Sequence, residues 1–196
     1  MRAPMFIVGA AIGRPRNERN NVMLLKNGKE LTIRKAQKED ARELLAYAKK
    51  VGAESDFLTF GAEGLPYTIE QEEKQIENWS NSTSAVMLVG VVDGKIVTTC
   101  VISAPARERL AHQSSIAVSV LKEYWGIGIG SHMMNALIDF AKNSDTIELI
   151  HLGVHADNTS AIALYKKCGF QEIGRYPKFF KLNGKYYDEI LMNLYL

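Results

Sequence analysis

The residues best suited to chemistry are a run of alternating glycines, Trp125-Gly126-Ile127-Gly128-Ile129-Gly130-Ser131. An apolar, strand-like run from Ile116 to Val120 precedes it, and an amphipathic helical pattern from Met133 to Ala141 follows. Glycines placed between a strand and a helix let the main chain close on an anion, because no Cβ blocks the approach or opposes a positive φ. The helix behind them adds unpaired N–H groups and the positive end of its dipole. The ligand expected there is a phosphate or diphosphate. Two common phosphate loops are excluded by spacing. A Walker A loop needs Gly-Lys-Ser/Thr, and Gly130-Ser131 has no lysine between its members. The dinucleotide fingerprint G-x-G-x-x-G would end on Ser131 if begun at Gly126, or on Met133 if begun at Gly128, so it fails in both registers.

A second group is Asn158-Thr159-Ser160-Ala161-Ile162-Ala163-Leu164-Tyr165, followed by Gly169-Phe170. Asn158 suits a helix N-cap, and Tyr165 is either a positioned acid or a core aromatic. His151 and His155 are four residues apart, a zinc spacing only on a helix. Their segment alternates apolar residues and contains Gly153, which reads as a strand and separates the imidazoles by about 13 Å. No metal site is expected.

The elements that must position these groups follow from periodicity. Leu31–Ala36 alternates as a strand, and apolar residues recur at helical spacing from Glu39 to Val51. Residues 52–66 read as a loop that carries Phe57, Leu58 and Phe60. Thr68-Ile69-Glu70-Gln71 has the capping-box pattern and opens a helix to about Trp79. Asp93-Gly94 joins the β-rich runs 85–92 and 95–103, and Asn183-Gly184 joins 171–182 to 185–196; both pairs are hairpin signals. Between them lie a strand at 113–120, a helix at 129–143, a strand at 147–154 and a short helix at 158–167 stopped by Gly169. The order β-α-α-β-β-β-α-β-α-β-β predicts an α+β fold, with a mixed, mostly antiparallel sheet flanked by helices.

Composition narrows the class. The 196 residues are 46% apolar and 23% charged, ordinary for a globular chain. The net charge of +2 is unevenly spread, with +4 in residues 1–30 and −2 in the remainder. A mildly acidic body offers no electrostatic footprint for nucleic acid. No apolar run approaches the roughly 20 residues that span a bilayer, so no membrane partner is expected. Cys100 and Cys168 fit neither metal nor redox spacing, which suits buried thiols in a cytoplasmic protein. Met5–Ile12 faintly resembles a short signal segment, but no small-residue cleavage site follows.

The two motifs together resemble the Gcn5-related N-acetyltransferases. That family carries Gln/Arg-x-x-Gly-x-Gly/Ala after its fourth strand, and residues 125–130 match it from the fourth position onward. About 35 residues later the family shows an Asn, an Ala, a Leu-Tyr and then a Gly-Phe, as at Asn158–Phe170. The resemblance, that of a bacterial-type small acetyltransferase, covers roughly Leu31–Leu196. It divides the chain into an N-terminal extension, 1–29, and an acetyltransferase domain, 30–196.

The resemblance implies acetyl-CoA as cofactor and coenzyme A as product. Cofactor contacts are expected from Trp125, Gly126, Ile127, Gly128, Ile129, Gly130, Ser131 and Asn158, with main-chain groups of Val118 and Val120 along the pantetheine arm. Tyr165 is expected to protonate the departing thiolate. Two positions depart from the family pattern. Trp125 stands where Arg or Gln is usual, and Ser114 or Ser115 stands where many relatives carry a carboxylate base. The acceptor is expected between the early helix-loop-helix and the last two strands, near Phe57, Phe60, Glu63 and Tyr67 on one side and Tyr186, Tyr187, Asp188 and Glu189 on the other. The expected activity moves an acetyl group to a primary amine, a small molecule such as an amino acid or polyamine, or a protein N-terminus. The alternative is a non-catalytic acyl-CoA-binding module, and self-association into a homodimer stays open.

Overall fold

The structure, a computed structural model, describes residues 21–196. The apolar run Met5–Ile12 and the rest of residues 1–20 lie outside the described residues. Among the described residues eight strands are present: β1 (Asn21–Leu24), β2 (Glu30–Lys35), β3 (Ala85–Val92), β4 (Lys95–Ser103), β5 (Gln113–Val120), β6 (Leu149–His155), β7 (Gln171–Leu182) and β8 (Lys185–Tyr195). The helices are α1 (Ala41–Glu54), α2 (Ile69–Ser80), α3 (Ile129–Lys142) and α4 (Thr159–Lys167). The strands form one sheet in the order β1-β2-β3-β4-β5-β6-β8-β7. Only the β5–β6 pair is parallel among these described strands. From β2 onward, the element order and the mixed α+β architecture are those expected from periodicity.

Local signals act as anticipated. Thr68 Oγ1 accepts from the Gln71 amide, and Gln71 Oε1 accepts from the Thr68 amide at 2.8 Å, closing the capping box of α2. Both hairpins turn on two residues with positive φ, Asp93-Gly94 and Asn183-Gly184, as a type I′ turn requires.

Two differences are physical. Asn21–Leu24, inside the segment assigned to an extension, pairs with β2, and Leu25 behind it is buried. Four residues are too few for a period to register. Helix α1 runs three residues past Val51, through Gly52. A Cβ at Gly52 would strike the Gly61 carbonyl, so this glycine lets the α1–α2 loop fold back onto the helix.

The sheet is covered on both faces. Cys100 Sγ lies 3.9 Å from the Met133 carbonyl, which assigns Thr98, Cys100 and Ile102 to the face under α3. Helix α3 buries Ile129, Met133, Met134, Leu137, Ile138 and Ala141 there. Each large side chain so buried stabilises by roughly 1.5–3 kcal/mol, which anchors the glycine loop at the helix start. On the opposite face, the Tyr47 hydroxyl of α1 meets Ser119 Oγ of β5 at 2.8 Å.

Candidate active site

The sheet opens at its centre. β5 and β6 pair only through Gln113↔Leu149, Ser114↔Ile150 and Ser115↔His151. Beyond that point β5 stays with β4 through Val120, and β6 stays with β8 through His155. Each strand keeps its antiparallel partner, and the two halves of the sheet fork. The Leu121 amide donates to the Val97 carbonyl, which phases the odd-numbered residues of β5 toward β4. Main-chain groups of Ile116, Val118 and Val120 therefore lie along the fork. One of them is already engaged: the Val120 carbonyl accepts from the Trp125 indole N–H at 2.7 Å, which occupies one of its two acceptor positions.

The glycine loop closes one end of the fork. Gly126 and Gly128 both have positive φ, +77° and +102°, and no atom lies within 4 Å of where their Cβ atoms would stand. Gly128 caps α3, and its carbonyl accepts from the amides of Ser131 and His132. The Ser131 amide is thereby spent, which removes it from the donors expected there. The amides of Ile127, Gly128, Ile129 and Gly130 have no acceptor among the described residues. They sit at the positive end of the α3 dipole, an arrangement suited to a diphosphate. Trp125 is 46% exposed and supplies no charge.

Helix α4 is packed against this loop. A Cβ at Gly130 would come within 3.0 Å of Leu164 Cδ2, so the glycine allows α3 and α4 to meet and joins two motifs more than thirty residues apart. Asn158 Oδ1 accepts from the Ala161 amide at 3.2 Å and from Ser160 Oγ, which caps α4 and leaves its amide nitrogen unengaged among the described residues. Tyr165, next to Leu164, is 9% exposed, with its ring 6.0 Å from Phe170. Burial pushes its phenol up to about 12, and no group among the described residues bonds its hydroxyl. A protonated, unpartnered phenol can give up a proton without first breaking another bond.

The face of the fork away from α3 holds a cluster that periodicity could not assemble. His155 is 4% exposed, with Phe57, Phe180 and Tyr187 rings 5.2, 5.0 and 4.8 Å from it. Its Nδ1 accepts from the Asp157 amide at 3.2 Å, which leaves Nε2 to carry the proton of the neutral ring. Phe57 and Tyr187 are thus brought together from opposite ends of the chain. The sequence reading weighed His155 only as a metal ligand and did not single out Phe180; the alternation that puts 151, 153 and 155 on one face was the signal for His155.

Two expected acceptor contacts do not join this cluster. Glu63 is exposed and accepts from the Gly61 amide at 2.8 Å, a bond that lowers its pKa and holds the α1–α2 loop. Asp188 points to the other face of β8, held by Arg175 at 3.2 Å and the Lys178 amide at 3.0 Å. On β5, Ser114 is buried against the Leu149 carbonyl, and Ser115 is exposed on the cluster's face. Among the described residues no three His, Cys, Asp or Glu side chains converge as metal ligands, and no helix is long and apolar enough to cross a membrane.

A forked sheet with a glycine-lined helix start at its mouth defines a class of protein, and comparison with known proteins identifies the same class. The acetyltransferase (GNAT) family model matches residues 53–170, from the end of α1 through α4. The L-amino acid N-acetyltransferase AaaT of Escherichia coli is 32% identical over 105 residues, 54% of this chain and 65% of that protein. The N-alpha-acetyltransferase RimI of Mycobacterium tuberculosis is 34% identical over 67 residues, 34% of this chain and 40% of that protein. The matches therefore span less than two thirds of either curated relative. The crystal structure of an acetyltransferase of the GNAT family from Streptococcus pneumoniae has a TM-score of 0.83 at 31% identity, covering 85% of this chain and 100% of that one. The chain belongs to the acetyltransferase (GNAT) family.

Proposed function

We propose that the protein transfers the acetyl group of acetyl-CoA to a primary amine, with both substrates bound and the amine attacking the thioester carbonyl directly. The observation that carries this reading is the shared location of two sets of unpaired donors. The free main-chain edge of β5 runs into the free amides of Ile127–Gly130. An extended pantetheine arm pairs with such an edge as an added strand does, and its diphosphate meets the helix start. In this reading the Val118 amide lies along the arm and the Asn158 side-chain amide reaches it. Tyr165 supplies the proton that the departing thiolate needs.

The acceptor enters from the face that holds Phe57, His155 and Tyr187. The names of the two curated relatives concern amino acids and α-amino groups, so an α-amine, free or at a peptide N-terminus, is the first acceptor to test, with polyamines next. The test is thiol release from acetyl-CoA across a panel of these amines, with calorimetry of acetyl-CoA binding. Amine-dependent release of coenzyme A supports the proposal. Binding without release for any amine makes the protein a sensing module, and absence of binding removes the cofactor assignment altogether.

A further inference from the structure

We infer that Glu189 receives the ammonium group of the acceptor and takes its proton before attack. This inference rests on the acetyl-transfer reading above. Glu189 lies opposite His155 in the β6–β8 ladder, but its side chain reaches diagonally across β6. A Cβ at Gly153 would fall on its carboxylate, so the glycine is what makes room for it. An exposed glycine inside a strand weakens that strand unless something must approach its backbone closely. Here the approaching group is a carboxylate.

Gly153 lies two residues past Ser115↔His151, the last β5–β6 pair, so the Glu189 carboxylate is held over β6 where that strand becomes one wall of the fork. It makes no hydrogen bond or ion pair among the described residues, whereas Glu63 and Asp188 are both engaged. Partial burial alone raises its pKa. That shift moves it toward the range in which a carboxylate can take a proton from an incoming ammonium. The titratable groups on its face are His151 and His155 on β6, Lys185, Tyr187 and Tyr195 on β8 and Tyr176 on β7. The α1–α2 loop, which brings Phe57 to His155, also carries Asp56 and Glu63. Ser115, on the same face of β5, cannot serve as a base at neutral pH.

The step balances simply. One proton passes from the ammonium to Glu189 and the neutral nitrogen attacks the acetyl carbon. The C–S bond breaks as the C–N bond is completed. The second proton leaving nitrogen replaces the one that Tyr165 gives to sulfur.

The test uses the full chain with Glu189→Gln and Gly153→Ala. Glu189→Gln is expected to lower kcat/KM for the best amine about 100-fold at pH 7, with acetyl-CoA affinity and Tm unchanged. The deficit should shrink as pH rises toward the amine's own pKa, because solution then supplies the neutral nucleophile; loss of a merely structural group would not show this. Gly153→Ala, which displaces the carboxylate without removing it, should cause a smaller loss with the same pH trend. Wild-type rates in Glu189→Gln, or a deficit independent of pH, overturn the role of Glu189 while leaving acetyl transfer intact. A wild-type protein that releases no thiol with any amine overturns both.

Discussion

The indole N–H of Trp125 donates to the Val120 carbonyl at 2.7 Å, so the glycine loop is tied to the last residue of β5 by a side chain that carries no charge. The bond holds the loop against the edge that it closes. Trp125→Phe removes it with little change in shape. A neutral hydrogen bond of this kind contributes about 1 kcal/mol. Tm should fall by roughly 2–4 °C, and the Kd for acetyl-CoA should rise about fivefold if loop order is what is lost. Scanning calorimetry and binding titration on one preparation check both numbers. An unchanged Kd would mean that the loop keeps its place without the tie.

Tyr165→Phe should separate binding from chemistry. The phenol is buried and protonated, so removing its hydroxyl leaves the packing against Phe170 in place. Turnover is expected to drop by about 10²-fold or more, while acetyl-CoA affinity stays within twofold. Equal losses in kcat and in binding would make Tyr165 a packing residue.

Two buried phenols set the alkaline limit of stability. Burial pushes both Tyr47 and Tyr165 up to about 12 from 10.0. A pKa raised in the folded state stabilises fully below the unfolded value and is lost as pH rises through the folded one. Stability should therefore hold up to about pH 10 and fall steeply between 10 and 12. Each tyrosine contributes on the order of 2–3 kcal/mol to that fall. Tyr165→Phe should roughly halve the fall of stability across this window, the Tyr47 share remaining, and leave Tm unchanged at neutral pH.

Gly128→Val tests the helix start. Its φ of +102° is strained for any residue with a Cβ, although no neighbouring atom lies within 4 Å. Stability should fall by about 1–3 kcal/mol. Under the proposed acetyl-CoA docking, binding should be lost beyond detection, because the side chain would project from the loop whose free amides are proposed to hold the diphosphate. Weakened stability with normal binding would place the anion elsewhere.

Much of the fold was legible because its signals are short-range. The capping box at Thr68 and Gln71, the Asn158 cap and the two positive-φ turns join residues within three or four positions of one another. Other features join distant residues and leave no local period. Gly52 meets Gly61, Gly130 meets Leu164, Gly153 meets Glu189, and in each case the sequence shows only a glycine. The length of β5–β6 pairing is equally hidden, since both strands continue as strands after they separate.

The sequence by itself determined the family, the α+β order and the glycine loop that ends the central strand, because those depend on residue type and spacing along the chain. Only the tertiary structure decided which carboxylate meets the fork. Asp188 and Glu189 are neighbours of similar chemistry, but successive side chains in a strand point to opposite faces. Pairing of β8 with β6 and β7 turns Asp188 toward Arg175 and leaves Glu189 over Gly153.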